Sequence, residues 1–237
     1  MIHYDLIMKR YGPLSGPSLL EPLIKEVFPG RIALVSSFGI EAAVLLHMVS
    51  EIDKSMPVVF LDTGKLFSET LSYRDTLADK LGLTDIRSIT PQTFDTNAGD
   101  PGGNLWQTKP DTCCHLRKVE PLERALRGFQ AWITGRKRFH GGMRTKLQTL
   151  EVTDWRLKIN PLAGWSQDDI QTYFSAHQLP VHPLGARGYT SVGCMPCTNL
   201  PTPGATARNG RWAGTPKTEC GIHWTANGRP MRRNQTA

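Results

Sequence analysis

Short apolar runs alternate with helix-like spacings along the first third of the chain. The run 31–35 is apolar and β-branched, and a helix-like segment over 41–50 follows it after a polar turn. The same order recurs with a strand over 57–61 and a helix over about 68–81, and a third strand is predicted over 86–89. Alternating strands and helices are typical of a parallel sheet covered by helices, so the pattern predicts an α/β fold.

Weaker patterns mark the other segments. Ser18 and Glu21 form a capping-box pattern that predicts a short N-terminal helix, ended by Pro29 and Gly30. The remaining predictions are an irregular loop over 91–111, a helix over 113–126, a strand over 130–134, a basic turn over 135–146, a helix from Ser166 to about 177 and a flexible loop over 201–216. We therefore expect an N-terminal helical segment (1–30), an α/β domain (31–200) and a mobile tail (201–237).

The charge of the chain is concentrated at its C-terminal end. The whole chain carries 28 Lys and Arg against 21 Asp and Glu, a net charge of +7, and residues 198–237 hold six of those bases against one acid. Nucleic-acid binding favours a basic stripe with aromatics on a folded face, whereas this excess lies in a segment rich in Pro, Gly and Ala. It favours a mobile arm that closes over a small anion, and no nucleic-acid partner.

Apolar runs are too short to cross a membrane. None approaches the roughly 20 residues that a spanning helix needs, and the first ten residues mix charged with apolar positions. We expect a cytoplasmic protein without a membrane partner.

Two polar turns follow predicted strands, at the sheet edge where α/β proteins bind ligands. They consist of Ser36, Ser37, Phe38 and Gly39, and of Asp62, Thr63 and Gly64. Hydroxyls and backbone N–H groups in such turns can hold a phosphate. Any strand–helix junction favours Ser and Gly, so each turn alone fits a structural role equally well, and two turns on adjacent units strengthen the phosphate interpretation.

The cysteines divide into two close pairs and a single remote residue. Cys113 is adjacent to Cys114, and Cys194 and Cys197 form a C-x-x-C pair. Four thiolates from two segments indicate zinc or an iron–sulfur cluster. Adjacent sulfurs splay apart, which suits different irons of a cubane better than one tetrahedral zinc, so we favour [4Fe–4S]. Burial as small hydrophobes explains two close pairs poorly.

Cys220 stands apart, inside the basic tail. Lys217 and His223 favour its thiolate and the adjacent Glu219 opposes it, so the sequence leaves its pKa open. A catalytic nucleophile is one interpretation, and an exposed bystander thiol is the other.

Several motifs together carry a family resemblance, from about residue 36 to 223. They are Ser36-Ser-Phe-Gly-Ile40, Leu61-Asp-Thr-Gly64 with Leu66-Phe67 and Glu69-Thr70, Cys113-Cys114 with Arg117-Lys-Val-Glu-Pro-Leu122, Gly193-Cys-Met-Pro-Cys197 and Glu219-Cys-Gly-Ile-His223. With them the chain resembles the assimilatory adenylyl-sulfate and phosphoadenylyl-sulfate reductases, in particular the iron–sulfur-containing adenosine 5′-phosphosulfate reductases of cysteine biosynthesis.

The resemblance implies an adenine-nucleotide α-hydrolase-like (PP-loop-like) sheet fold and an active site. It implies a [4Fe–4S] cluster on Cys113, Cys114, Cys194 and Cys197. It also implies that Cys220 attacks the sulfur of a sulfonucleotide, expels AMP and becomes an S-sulfocysteine, which thioredoxin cleaves to sulfite. A thiolate is a strong nucleophile and the phosphate of AMP leaves well, so the chemistry is sound.

Substrate-binding residues also follow from the resemblance. Lys118 matches a family lysine between cluster and substrate, and Arg144, Arg208 and Arg211 match arginines that contact phosphate and sulfate. Without the family match, surface charge is the preferred interpretation of these residues. The complete predicted set consists of Ser36, Ser37, Phe38, Gly39, Asp62, Thr63, Gly64, Lys118, Gly135, Arg144, Arg208, Arg211 and His223.

Alternatives remain open at this point. The leading alternative is a tRNA-thiolating enzyme of the same fold, which would consume ATP. Residues 37–42 depart from the Ser-Gly-Gly-x-Asp-Ser loop of the related ATP pyrophosphatases, and this difference argues against ATP cleavage. A zinc-stabilised binding module without catalysis is a third class. Within the reductases, cluster-bearing members mostly use the substrate without a 3′-phosphate, and some accept both. The oligomeric state stays open, a homo-oligomer included, and residues 224–237 have no role that we can assign.

Overall fold

A mostly parallel sheet forms the centre of the protein. The computed structural model describes residues 3–153, 156–204, 206–215 and 217–223. The strands are β1 (Ile32–Ser36), β2 (Val58–Leu61), β3 (Ile86–Ile89), β4 (Ala131–Ile133), β5 (Leu150–Thr153) and β6 (Arg156–Ile159). Within the described residues they form one six-stranded sheet in the order β3-β2-β1-β4-β6-β5, and every neighbouring pair is parallel except the antiparallel β5–β6. The predicted α/β fold with a parallel sheet is confirmed.

Helices connect the strands and cover the sheet. They are α1 (Tyr4–Tyr11), α2 (Gly16–Pro22), α3 (Ala42–Ile52), α4 (Ser68–Leu81), α5 (Thr93–Gly99), α6 (Leu105–Thr108), α7 (Pro110–Cys114), α8 (Glu120–Ala125) and α9 (Gln167–Ala176). A π-helical turn continues α2, and a second one, His115–Val119, joins α7 to α8. Among the residues described, no helix combines the length and the apolar character that crossing a membrane requires.

The central strands are buried on both faces, because successive side chains of a strand point to opposite sides of the sheet. Leu34 of β1 and Phe60 of β2 belong to a large core that α2, α3, α4 and α9 cover. Val35 and Leu61 belong to a second core on the other face, which α8 covers. Both β1 and β2 are buried along their whole length. Burial of one such apolar side chain stabilises the fold by roughly 1.5–3 kcal/mol.

The N-terminal helix and the loop after β3 differ from the predictions. The helix α2 begins at Gly16 rather than Ser18, and its N-cap is Ser15, whose side chain makes no capping hydrogen bond. A proline in the first helical turn explains this start, because its fixed φ suits that position and its missing N–H needs no partner. The loop over 91–111 is not irregular throughout, since it contains α5 and α6.

Elements that the sequence pattern did not predict complete the fold. The hairpin strands β5 and β6 extend the sheet next to β4, and α1 precedes α2. Lys158 in β6 has no exposed surface, and its ammonium lies 4.7 Å from the ring centroid of Trp132. Charged residues are rarely buried, so a lysine in this segment argues against a buried strand. The apolar pattern of β6 was therefore missed.

The described part of the tail packs against the α/β domain. Thr198 pairs with Arg211 in an antiparallel bridge, and the Trp212 backbone N donates to the Cys197 carbonyl at 3.0 Å. Trp212 is 4% exposed. The mobility of the tail, residues 201–237, stays a prediction, and residues 224–237 lie outside the described part of the chain.

Candidate active site

A cavity of about 190 Å³ opens at the carboxyl ends of β1 and β4. Ser36, Ser37 and Gly39 line it from the loop after β1, and Gly135 lines it from the turn after β4. Ligands of open α/β sheets bind at this edge, so the cavity is the candidate active site.

A local hydrogen bond stabilises the loop after β1. The Phe38 backbone N donates to the Ser36 hydroxyl at 3.1 Å, and Phe38 has a φ of +47°, a left-handed conformation that costs energy for a residue with a side chain. The Phe38 ring is fully buried and packs edge-on against Phe60, with 5.4 Å between ring centroids. Phe38 is therefore a core residue that shapes the loop, and its side chain does not line the cavity.

The turn after β2 lies beside the cysteines instead of the cavity wall. The Asp62 carboxylate accepts from the Gly64 backbone N at 3.0 Å, and Gly64 has a φ of +68°, which suits glycine. The Thr63 hydroxyl lies 3.2 Å from the Cys194 sulfur. None of Asp62, Thr63 and Gly64 lines the large cavity. The segment that carries Cys194 packs on this turn, and the direct contact of Asp62, Thr63 and Gly64 with substrate stays a prediction.

Positive charge dominates the cavity wall. The basic residues that line it are Lys118, Arg136, Lys137, Arg144, Arg208 and Arg211, and His140 and His223 lie among them. The acidic residue in the lining is Glu41. A cavity of this charge attracts an anion with several phosphate or sulfate oxygens. The four basic residues predicted from the resemblance all line it, and the sequence prediction missed Arg136, Lys137, His140 and Glu41.

Glu41 organises one side of the cavity. Its carboxylate accepts from the Lys137 ammonium at 2.6 Å and lies 3.1 Å from Nε2 of His140. Burial raises the pKa of Glu41, but Lys137 and His140 outweigh it and lower that pKa to about 2. Burial lowers the pKa of His140, so its ring is neutral at neutral pH. It then donates from Nε2 to Glu41 and accepts at Nδ1 from Arg144, 3.1 Å away.

Arg144 and Arg208 share a carboxylate from the tail. Arg144 donates to Glu219 from Nε at 2.5 Å and from Nη2 at 3.0 Å, and Arg208 donates to the same carboxylate at 2.8 Å. Burial and the charge of Arg144 lower the pKa of Arg208 to about 10, so the Arg208 guanidinium stays cationic at neutral pH. Two adjacent cations beside Cys220 form an oxyanion-binding pair.

Arg211 lies against a glycine of the cysteine loop. A Cβ on Gly193 would lie 2.2 Å from Nη2 of Arg211, so the guanidinium occupies the place of a side chain. The guanidinium also lies 4.6 Å from the ring centroid of Trp212. Glycine at position 193 therefore lets Arg211 reach both the large cavity and the cysteine pairs.

Cys220 lines the large cavity at its closed end. Its side chain packs with Cys114 and Trp212, and the residue is 8% exposed. A hydrogen bond from the Cys114 thiol and the nearby charge of Lys118 hold the pKa of Cys220 well below its usual value, against the effect of burial. A buried thiol next to a cationic, oxyanion-binding wall is arranged as a nucleophile toward an anionic electrophile.

His223 closes the cavity on the tail side. Its Nδ1 atom is buried and has no hydrogen-bond partner, and its backbone carbonyl accepts from Arg136 at 3.4 Å. Burial and the nearby charges of Lys158 and Arg136 hold the pKa of His223 well below its usual value. A neutral imidazole with a free nitrogen in the cavity wall can hydrogen-bond a ligand.

The two cysteine pairs meet at a second, much smaller cavity. Pro110 opens α7, a favourable first helical residue, and α7 presents Cys113 and Cys114. The Met195 backbone N donates to the Lys65 carbonyl at 2.7 Å and fixes the Cys194–Cys197 turn opposite α7. Lys118, Arg211 and Trp212 line both cavities and so lie between the cysteines and the candidate active site.

The cysteine chemistry fits a metal cluster, although the thiols are not drawn together as ligands. All four are free thiols that line one cavity, and burial and the nearby Cys194 raise the pKa of Cys113 to about 11. Across the residues that the structure describes, no group of three or more His, Cys, Asp or Glu is positioned to hold a metal ion. An all-sulfur donor set from two rigidly joined segments suits iron–sulfur or zinc chemistry.

Comparisons with known proteins show the family of this chain. A family model described as the phosphoadenosine phosphosulfate reductase domain matches residues 31–200. A curated adenosine 5′-phosphosulfate reductase from Mesorhizobium japonicum is 52% identical over 213 residues, which cover 90% of this chain and 84% of that protein. Another protein of that name, from Chelativorans sp., is 48% identical over 215 residues, which cover 90% of this chain and 88% of that protein.

A solved structure is similar over the same region. The phosphoadenylyl-sulfate reductase of Candida auris in its phosphate complex has a TM-score of 0.69 and 28% sequence identity, and the match covers 83% of this chain and 96% of that chain. The chain belongs to the phosphoadenosine phosphosulfate reductase family.

Proposed function

We propose that this protein reduces adenosine 5′-phosphosulfate to sulfite and AMP with thioredoxin as reductant, in sulfate assimilation for cysteine biosynthesis. The observation that carries the proposal is that Cys220 shares one cavity with Arg144, Arg208, Lys118 and the loop after β1. Proteins named adenosine 5′-phosphosulfate reductase are up to 52% identical to this chain. A soluble cytoplasmic location and self-association stay predictions from the sequence.

The reaction proceeds in two steps at Cys220. Its thiolate forms a bond to the sulfate sulfur, the bond from that sulfur to the phosphate oxygen breaks, and AMP leaves with the electron pair. A thioredoxin thiolate then attacks the Cys220 sulfur and releases sulfite, and the second thioredoxin thiol resolves the mixed disulfide. The two electrons that reduce the sulfur therefore come from two thiols, which end as a disulfide.

Cavity residues stabilise the charge that moves in the first step. The guanidiniums of Arg144 and Arg208 match tetrahedral oxyanions, and Lys118 places a cation between Cys220 and the cysteine pairs. Ser36, Ser37 and Gly39 lie where a nucleotide phosphate meets the end of β1, and His223 offers its free nitrogen. Donors held in place by the cavity wall stabilise the leaving phosphate without reorganisation.

The substrate is the first experimental question. We expect sulfite release from adenosine 5′-phosphosulfate, with thioredoxin, to exceed release from its 3′-phosphorylated form by at least about tenfold in kcat/KM. Both substrates are compared at equal concentration with the same thioredoxin. A preference for the 3′-phosphorylated substrate would establish the alternative, a phosphoadenylyl-sulfate reductase, and equal rates a dual-substrate enzyme. The family match disfavours the tRNA-thiolating alternative, which requires ATP consumption.

We propose that Cys113, Cys114, Cys194 and Cys197 hold a [4Fe–4S] cluster. When bound, the cluster supplies a fixed structural and electrostatic element beside Cys220. The cavity that the four thiols share, with Lys118 and Arg211 at its edge, supports this assignment, because cations balance the negative charge of four thiolates.

Analysis of the purified protein tests the cofactor. We expect about four irons and four acid-labile sulfides per chain in protein purified without oxygen, and their loss in Cys194→Ser. Met195→Leu is the matched control, because Met195 lies in the same turn with an exposed side chain and should leave the iron content unchanged. Colourless protein with one zinc and no sulfide would contradict the assignment and favour the zinc alternative.

A further inference from the structure

Glu219 connects the segment that carries Cys220 to the cavity arginines. Its carboxylate accepts two hydrogen bonds from Arg144, at 2.5 and 3.0 Å, and one from Arg208 at 2.8 Å. The side chain is 8% exposed, and it lies beside the cavity rather than in its wall. Glu219 therefore binds the Nε–Nη2 edge of Arg144, whose Nη1 donates to His140, and it also binds Nη2 of Arg208.

These contacts join two parts of the chain that are distant in sequence. Arg144 belongs to the turn Gly142–Lys146 of the α/β domain, whereas Glu219 and Arg208 belong to the tail. A bidentate arginine–carboxylate pair is among the stronger polar contacts in proteins, and burial reduces its screening by salt. The pair between Arg144 and Glu219 is thus a principal contact that holds Cys220 against the cavity.

The closed position serves one step of the proposed reaction and obstructs the other. Cys220 is 8% exposed and packs against Cys114 and Trp212, so its sulfur faces the cavity. That position suits attack on a bound sulfonucleotide. A thiol of a partner protein cannot reach the same sulfur until the segment moves away, so the contacts of Glu219 must break in every catalytic cycle.

We propose that Glu219 is a positioning residue that latches the Cys220 segment closed for sulfonation and releases it for reduction. This inference rests on the proposed function. Sulfonation moves the negative charge of Cys220 from the thiolate sulfur outward onto three sulfonate oxygens, one residue from Glu219. The sulfonate repels the carboxylate and offers oxygens to the same guanidiniums, Arg144 and Arg208. Sulfonation thus weakens the latch when the segment must open.

Accessibility of Cys220 tests the latch without any turnover. We expect Glu219→Gln to raise the rate of Cys220 alkylation by iodoacetamide at least about tenfold, the factor for loss of a single charge-assisted hydrogen bond. The rate is measured on the Cys220 peptide by mass spectrometry, in protein without nucleotide. Glu69→Gln is the matched control, because Glu69 pairs with Arg187 outside both cavities and should leave the rate unchanged.

The two chemical steps should respond differently to the loss of the Glu219 charge. We expect Glu219→Gln to slow single-turnover formation of S-sulfonated protein and to leave unchanged or accelerate sulfite release from that protein by dithiothreitol. A general loss of structure would slow the first step without selectively sparing the second. Glu219→Asp keeps the charge with a shorter reach, so it should lie between the wild-type protein and Glu219→Gln in both measurements.

A double-mutant cycle identifies the partner of Glu219. Arg144→Gln should raise alkylation by no more than Glu219→Gln does, because it leaves the pair between Arg208 and Glu219 in place. The double variant should not exceed Glu219→Gln, which already removes the contact with Arg144. The latch would be overturned if Glu219→Gln left the alkylation rate unchanged or if Glu69→Gln raised it equally. Fully additive effects of Glu219→Gln and Arg144→Gln in the double variant would also overturn it. If the wild-type protein releases no sulfite, the proposed function fails. The alkylation rates still show in that case whether Glu219 holds the Cys220 segment closed.

Discussion

Cys220→Ser protein should release no sulfite from adenosine 5′-phosphosulfate, with a rate at least about 10³-fold below that of the wild-type protein. A serine hydroxyl keeps the size of the side chain, so the packing against Cys114 and Trp212 persists. It lacks the nucleophilicity of a thiolate, and no sulfonated enzyme can form. The measurements are sulfite release with thioredoxin and the intact mass of the protein after single turnover, which gains one SO₃ group only when Cys220 is present.

Thr218→Ala is the matched control for this substitution. Thr218 lies two residues before Cys220, is exposed and does not line the cavity, so we expect nearly unchanged sulfite release. Full activity in Cys220→Ser would remove Cys220 from the mechanism. The basic cavity would then bind the sulfonucleotide for a reaction with a different nucleophile.

The first strands and the helix α4 were the elements that the sequence predicted best. The bounds of α4 and β3 match the prediction, and β1 and β2 lie within one residue of it at each end. These segments combine apolar periodicity with clear stop signals, such as Gly82 in the left-handed conformation after α4. By contrast, β6 escaped prediction because the fully buried Lys158 interrupts its apolar pattern.

Residues of the site were predictable where a motif carried the chemistry. Cys220, Lys118, Arg144, Arg208 and Arg211 line the same cavity, as a common role in anion binding and attack requires. Their roles toward substrate stay predictions that the variants above test. The basic tail supplies Arg208 and Arg211 to this cavity, whereas Lys118 and Arg144 come from the α/β domain.

Contacts between distant segments could not be predicted. Whether the turn after β2 faces the substrate or the cysteines depends on which segment packs on it, and residues 194–197 pack there. Likewise, the sequence alone indicates only that the charge of Glu219 opposes formation of the Cys220 thiolate. Its pairing with Arg144, 75 residues earlier, appears only when the tail is placed on the α/β domain.

Phe38 shows how a motif can combine binding and packing. We expect Phe38→Ala to reduce the free energy of unfolding by about 3–5 kcal/mol, the usual range for removing a fully buried phenylalanine. The ring has no exposed surface and packs on Phe60, and this packing offsets the strain of the positive φ at Phe38. Urea unfolding followed by circular dichroism measures the change.

Phe94→Ala provides the comparison, because Phe94 is 79% exposed on α5 and its removal should change the free energy of unfolding by about 0.5 kcal/mol or less. Equal and small losses in both variants would show that Phe38 is not a core residue, and a direct contact with the nucleotide would then explain its place in the motif. A large loss in Phe38→Ala alone would confirm that Phe38 is a core residue beside the predicted binding residues Ser36, Ser37 and Gly39. Phe38 would then hold their backbone in the shape that a phosphate needs.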